Sequence, residues 1–366
     1  MGGTSICGGG GDEEDGGTGD GGTSHKLDGM CENCIEGPGL LDTVGATPLI
    51  RIDDAFQNGH SDPGVRVWGK LESFNPGGSA KDRTARALVQ AAVDQGILGP
   101  GATVVESSSG NLGVALAREA AIGGWDFHCV VDQRTNTTTL AHIKALGATI
   151  HPVTQPDPET GDWLAARRKK VAELIDELGA INLDQYSNRA AFTAHSQGTM
   201  KEIVDTLGHA PDYLLVAVST TGTVGGCLRS IAENGLDTKV IAVDAEGSVL
   251  FNGARADRIL PGFGAGVVPD LSREVTPDRV VRVGARDCIT AARNMAAATG
   301  FLPGASGGAV ASAVAALLDD LAGQPERGAD PVDPVDPVDI VAIFHDDGRA
   351  YLDTIYDDDW VEENAP

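Results

Sequence analysis

Four stretches of the chain join reactive or anion-binding side chains to glycine where a hydrophobic run gives way to a helical pattern. In SFNPGGSAKDRTARA (73–87), Asn75-Pro76-Gly77-Gly78 is turn chemistry, and Lys81 opens a helical pattern with Asp82 in its first turn. An ammonium at the positive end of a helix dipole is disfavoured, so the Lys81 pKa should fall, which suits covalent chemistry with a carbonyl. A plain surface lysine before a helix would leave the same trace. In VVESSSGNLGVALA (104–117), Ser108, Ser109, Gly110 and Asn111 offer hydroxyls and backbone N–H groups to an anion of carboxylate size, or serve as an ordinary helix cap. In LLVAVSTTGTVGGCLRSI (214–231), Ser219, Thr220, Thr221, Gly222 and Thr223 follow a hydrophobic strand and open a helix, a cradle for phosphate. No G-K-[ST] closes that loop and it holds no G-x-G-x-x-G, so the phosphate would belong to a small cofactor and not a nucleotide. LPGASGGAVASAV (302–314) places Ser306 in a glycine-rich turn before a helix.

These junctions need strands and helices to hold them. Short β-branched runs at 65–72, 102–107, 127–132, 213–219, 239–245 and 339–344 read as buried strands. Alanine-rich segments with helical spacing, at 85–96, 111–122, 139–147, 163–179 and 308–323, separate them. The alternation predicts an α/β fold with parallel sheets and helices on both faces, and ligand sites in such folds lie where strand C-terminal ends meet helix N-termini. Residues 1–38 are glycine-rich and acidic and are expected to be disordered; Met30 is a possible alternative start. The triplet repeat DPVDPVDPVD lies in a low-complexity stretch, 325–339, expected to be an extended surface loop.

Composition narrows the partners. The 366 residues are 41% hydrophobic, enough for a sizeable core, and no apolar run of membrane-spanning length stands out. The N-terminal segment has no basic-then-apolar leader pattern, so the expected compartment is the cytoplasm. Fifty-three acidic against 27 basic residues give a net charge of −26, which disfavours nucleic acid and anionic membrane as partners. Only eight of the bases are lysines. An acidic, lysine-poor surface suits a high-salt cytosol, though an ordinary acidic protein would share it. Six cysteines are too few for a disulfide scaffold; Cys31 and Cys34 form a C-x-x-C with no second pair at zinc spacing, and no metal site is expected.

Taken together, N-P-x-x-S-x-K-D-R, S-x-G-N-x-G, the Thr/Gly phosphate loop and the G-x-S-G turn, in this order, resemble the fold-type-II pyridoxal-phosphate (PLP) enzymes of the cysteine synthase and cystathionine β-synthase family. The resemblance runs from LLDTVGATPLIRI to about residue 361. It implies a two-lobed, tryptophan-synthase-β-like catalytic domain over 39–366, with a smaller lobe at about 76–188 and a larger one from 39–75 plus 189–366, and a homodimer. It further implies that Lys81 holds PLP covalently and moves the substrate α-proton. Asn111 would bond the ring oxygen, Ser219–Thr223 the phosphate, and Ser306 would face the ring nitrogen. Ser108, Ser109, Gly110 and Asn111 would clasp the carboxylate of an amino-acid substrate, with Gln185 near it and GFGAG (262–266) beside the cofactor.

Two departures from ordinary cysteine synthases point to a narrower resemblance. Their G-T-G-G-T is S-T-T-G-T here, and their S-x-G-N-T-G becomes S-S-G-N-L-G, with Leu112 removing a hydroxyl beside the substrate. These segments, with GSVLFNG (247–253) and RAYLDTIYDDDWV (349–361), look more like a branch that joins O-phospho-L-serine to L-glutamate for 2,3-diaminopropionate and siderophore synthesis. In HDDGRAYLD, Asp347 stands where that pattern has arginine. A dianionic leaving group in so acidic a chain calls for local cations, and Arg255, Arg258 and, behind them, Arg134 are the candidates. The alternatives are a cysteine synthase using O-acetylserine or O-phosphoserine with sulfide, and a non-catalytic PLP-binding regulatory homologue.

Overall fold

The structure is a computed structural model, described for residues 39–56, 64–323 and 337–365. The acidic extension at 1–38, with its Cys31/Cys34 pair, and most of the low-complexity stretch lie outside these residues.

Among the described residues, nine strands form two sheets. The larger runs β1(Leu49–Arg51)-β2(Val65–Leu71)-β9(Val338–Phe344)-β6(Tyr213–Ala217)-β7(Lys239–Ala245)-β8(Arg279–Val283). The smaller is β3(Thr103–Ser107)-β4(Asp126–Asp132)-β5(Thr149–Val153). All pairs are parallel except β1 with β2, which run antiparallel. This is the α/β architecture expected from the alternating pattern, with one antiparallel edge. β1, β5 and β8 are the strands the β-branched pattern does not reveal. All three are edges, short and half exposed, and β5 carries Pro152, which only an edge strand tolerates well.

Helices cover both faces. α8(Ala285–Thr299) and α9(Ala305–Ala322) bury one face of the large sheet, with Val310, Val314 and Leu317 against Ile340, Ala342 and Val243. By length and composition α9 could cross a membrane, yet most of it is buried here as the central core helix. α5(Ala190–Ala194), a π-helical turn at His195–Met200, α6(Lys201–Leu207) and α7(Gly222–Asn234) cover the other face. Gly226 permits this: a Cβ there would stand 2.5 Å from the Phe192 carbonyl and 2.6 Å from His195 Cβ, so only glycine lets α7 approach the π turn. α1(Lys81–Asp94), α2(Asn111–Gly123) and α3(Thr137–Ala145) pack on one face of the small sheet through Leu88, Leu116 and Ile143. α4(Trp163–Leu178) covers its other face through Val171 and Leu174. A last helix, α10, spans Asp358–Asn364. We propose that the small sheet with α1–α4 forms a lobe bounded near residues 76 and 188.

One boundary needs correction. The low-complexity stretch does not stay a loop to residue 339, because Val338 and Asp339 already belong to β9 and are buried. Asp339 accepts hydrogen bonds from Arg66, from Trp68 Nε1 (2.7 Å) and from His209 Nε2 (2.6 Å). Burial alone would raise its pKa, but these donors hold it below the ordinary carboxylate value. The last acid of the repeat is thus a buried anchor for the strand.

Candidate active site

The C-terminal ends of β6 and β9 and the N-termini of α1, α2, α7 and α9 converge on one cavity of about 460 Å³ of atom-free space. Its lining includes Lys81, Asn111, Ser219, Thr220, Thr221, Gly222, Thr223 and Ser306, drawn from all four sequence junctions. Chain segments more than two hundred residues apart meet there because the parallel register places β9 between β2 and β6.

Lys81 is the first residue of α1. Among the described residues its Nζ has no hydrogen-bond or ion-pair partner. Burial pulls its pKa down and the nearby Asp346 carboxylate opposes that fall. The direction matches the argument from the helix dipole, but the larger cause is desolvation. His195 and His345 stand within electrostatic reach of Lys81, and both are held neutral, chiefly by burial; the His345 pKa falls to about 3.

The phosphate loop is built on α7. Thr220, Thr221 and Thr223 are buried, and Thr221 adopts φ 68°, ψ 6°, a left-handed conformation that costs a β-branched residue about 1–2 kcal/mol. Its hydroxyl donates to the Thr220 carbonyl at 2.6 Å. The strained turn leaves the first N–H groups of a 13-residue helix aimed at the cavity with hydroxyls around them. Ser219 Oγ donates to the Gly264 carbonyl at 3.1 Å, joining this loop to the 262–266 segment, of which Gly262 lines the cavity. His195 braces the loop from behind, its Nε2 3.3 Å from Thr223 Oγ1 and from Thr84 Oγ1.

Other expected residues are placed differently. Ser108 Oγ accepts from Gly113 N at 2.8 Å and so caps the first turn of α2, while Ser109 and Gly110 are half-buried beside it. Gln185 Nε2 donates to the Ser107 carbonyl at 3.1 Å and supports that loop from within. None of these four lines the cavity. Leu112, at 2% exposure, packs its side chain in the apolar core of α1, α2 and the small sheet and is not among the lining residues. Arg258 lies outside the lining too, donating to the Phe263 carbonyl at 3.3 Å beside Gly264.

Two titratable lining residues, His345 and Asp346, are not among those the sequence motifs pick out. They follow directly on the buried run DIVAIF, and the end of a buried parallel strand was signal enough to find them. Asp347, one residue further on, caps the next turn by accepting from Arg349 N. His195 had no sequence signal at all, since tertiary packing alone brings it to Thr223.

The donor set fits PLP: an unpartnered amine for an aldehyde, a helix N-terminus with the Thr220 and Thr223 hydroxyls for a phosphate, and an amide and a serine hydroxyl for the ring's polar atoms. The family model described as "Pyridoxal-phosphate dependent enzyme" matches residues 40–329. The chain belongs to this family of fold-type-II, PLP-dependent enzymes. Among solved structures it is similar to an O-ureido-L-serine synthase, at 29% identity and a TM-score of 0.74 over 88% of this chain and 98% of that one. A lysine-to-alanine variant of that synthase with O-ureido-L-serine bound matches at 27% identity and 0.74, covering 88% and 97%. An O-acetylserine-dependent cystathionine β-synthase from Helicobacter pylori shares the fold, at 24% identity and 0.75, over 88% and 99%.

Proposed function

We propose that this enzyme joins O-phospho-L-serine to L-glutamate to give N-(2-amino-2-carboxyethyl)-L-glutamate, a precursor of 2,3-diaminopropionate for siderophore synthesis. The coarser chemistry is PLP-dependent β-replacement of the cysteine-synthase-like kind, in which a leaving group departs from the serine β-carbon and a nucleophile takes its place. One similar structure is named for making an O-substituted serine. Bound PLP supplies the electron sink that makes the substrate Cα–H bond acidic. Lys81 Nζ, desolvated and unpartnered, takes up that proton. Asn111 Nδ2, the threonines of α7 and Ser306 Oγ bind and orient the cofactor, and Ser109 and Gly110 lie where the α2 N-terminus can receive a carboxylate. A serine, not a carboxylate, near the ring nitrogen keeps the sink weak, which favours prompt loss of the β-group.

The observation that carries the substrate assignment is Arg258. It is half-buried and, among the described residues, forms no ion pair within 4 Å. Burial lowers its pKa and the nearby Arg134 and Arg255 push the same way, with Asp244 and Asp162 opposing. Arg134 and Arg255 have carboxylates of their own, Asp132 at 3.0 Å and Asp162 at 3.8 Å. An under-neutralised cation beside the 262–266 segment, in a chain of net charge −26, suits a dianionic leaving group. The test is mass spectrometry of products from O-phosphoserine with glutamate or with sulfide. Phosphate release with a carbon–nitrogen adduct supports the reading. Faster acetate release from O-acetylserine, with cysteine the only product, replaces it by a cysteine synthase. We place the enzyme in the cytoplasm as a homodimer suited to high salt; a monomeric mass by light scattering in molar salt would contradict the assembly.

A further inference from the structure

Asp346 lines the cavity at 6% exposure, immediately beyond the end of β9. Ala80 N donates to the His345 carbonyl at 2.8 Å, and Ser79 bridges Asp346 in antiparallel fashion. The backbone bearing this carboxyl is therefore tied to the two residues before Lys81. Its Oδ2 accepts from Asn111 Nδ2 at 2.7 Å and from the Tyr351 hydroxyl at 3.1 Å. Its Oδ1 is buried with no partner and abuts Gly304, the N-cap of α9, where a Cβ would collide with it. One carboxylate thus stands between the N-terminus of α2, opened by Asn111, and that of α9, whose second residue is Ser306. The Asn111 amide at the start of α2 donates to that carboxylate, and the N-terminal dipole of α9 favours a negative charge beside it.

We propose that Asp346 is a positioning residue for the cofactor: its carboxylate holds the Asn111 amide by one N–H and leaves the second N–H for the ring, beside the start of α9 that carries Ser306. This rests on the reading of Lys81, Asn111 and Ser306 as cofactor contacts. An amide at position 346 cannot do the same. Turned one way, its NH₂ group meets the Asn111 Nδ2 and Tyr351 hydroxyl donors; turned the other, it keeps the bond from Asn111 without the charge and sets NH₂ at the positive end of α9 beside Gly304.

The carboxylate is kept at a cost to the fold. Burial raises its pKa to about 6; the bonds from Asn111 and Tyr351 oppose that rise, Asp347 adds to it, and Lys81 opposes it. His345 and His195, the other buried titratable groups within electrostatic reach of Lys81, are neutral. A folded-state pKa above the unfolded value means a stability contribution that is full below about pH 4 and lost as pH climbs through 6. Neutralising the residue should therefore stabilise the cofactor-free protein at pH 8 and not at pH 4.

The experiment strips PLP from the holoenzyme and titrates PLP back into wild type and Asp346→Asn, following cofactor fluorescence, with parallel thermal melts of the PLP-free proteins. The variant is expected to bind PLP at least about tenfold more weakly, about 1.4 kcal/mol. It is also expected to melt at or above wild type at pH 8, with the difference closing toward pH 4. A residue that merely props the fold would lower both quantities, and that result, like unchanged PLP affinity, overturns the proposal. Should the variant not fold, Tyr351→Phe decides: about threefold weaker PLP binding supports it and unchanged binding overturns it. Lys81→Ala separates the two levels of inference. If it keeps the visible band of lysine-linked PLP, the site reading itself fails; if it loses the band while Asp346→Asn behaves as wild type, only the role of Asp346 fails.

Discussion

Truncating Arg258 to alanine removes a half-buried guanidinium that has no ion-pair partner within 4 Å among the described residues. A charge-assisted hydrogen bond to a substrate phosphate is worth about 1.5–3 kcal/mol, which is about 10- to 150-fold in rate constant. Two features place the loss within that range and not below it. Arg258 is buried enough for burial to depress its pKa, so solvent screens it less than a surface arginine. The neighbouring Arg134 and Arg255 add positive potential that the alanine variant keeps, which caps the loss from above. The same guanidinium also donates to the Phe263 carbonyl, so the 262–266 segment loses a support. Comparing two donors isolates the charge term: O-acetylserine, with a neutral ester, should lose less than about threefold in kcat/KM, while O-phosphoserine loses at least about tenfold. The assay is initial-rate measurement with both donors at fixed glutamate, at low and at molar salt, reading phosphate and acetate release. An equal fall for both donors would mean that Arg258 serves the loop alone, and no fall for either would place the leaving-group cation elsewhere.

Three further outcomes follow from the site. Lys81→Ala should abolish turnover and the lysine-linked PLP absorbance, since no other lysine lines the cavity; near-wild-type product formation would show the assignment wrong. Replacing Thr220 and Thr223 together by valine removes two hydroxyls from the start of α7 and should weaken PLP binding at least about tenfold by equilibrium titration, whereas unchanged affinity would move the phosphate elsewhere. Glu106 is buried at the end of β3, where burial first and then Asp184 raise its pKa to about 8 against opposing backbone donors. Its contribution to stability is full below about pH 4.5 and lost as pH rises through 8, so Glu106→Gln should flatten the decline in melting temperature between pH 5 and 9; an unaltered pH profile would assign that decline to other groups.

The chain's own order of residues determined the fold class and the four junctions that line the candidate site. β-branched runs such as LLVA and DIVAIF can be buried on both faces, and each ends where glycine, threonine or serine opens a helix, so the strand ends were recognisable as binding loops without coordinates. Lys81, Asn111, the 219–223 loop and Ser306 are local signals of that kind, each carried within a dozen residues. What tertiary structure alone decided is everything set by distance in space between distant segments. His195 braces Thr223 only because Gly226 lets α7 approach the π turn, and Asp346 bonds Asn111 only because β9 inserts between β2 and β6. The S-S-G-N-L-G motif likewise does not say where the Leu112 side chain points; helical periodicity turns it into the core. A motif records which residue types are adjacent along the chain. The direction of a side chain, and the loss of solvent that shifts the pKa of Lys81 and Asp346, depend on elements that pack around it from far away in sequence.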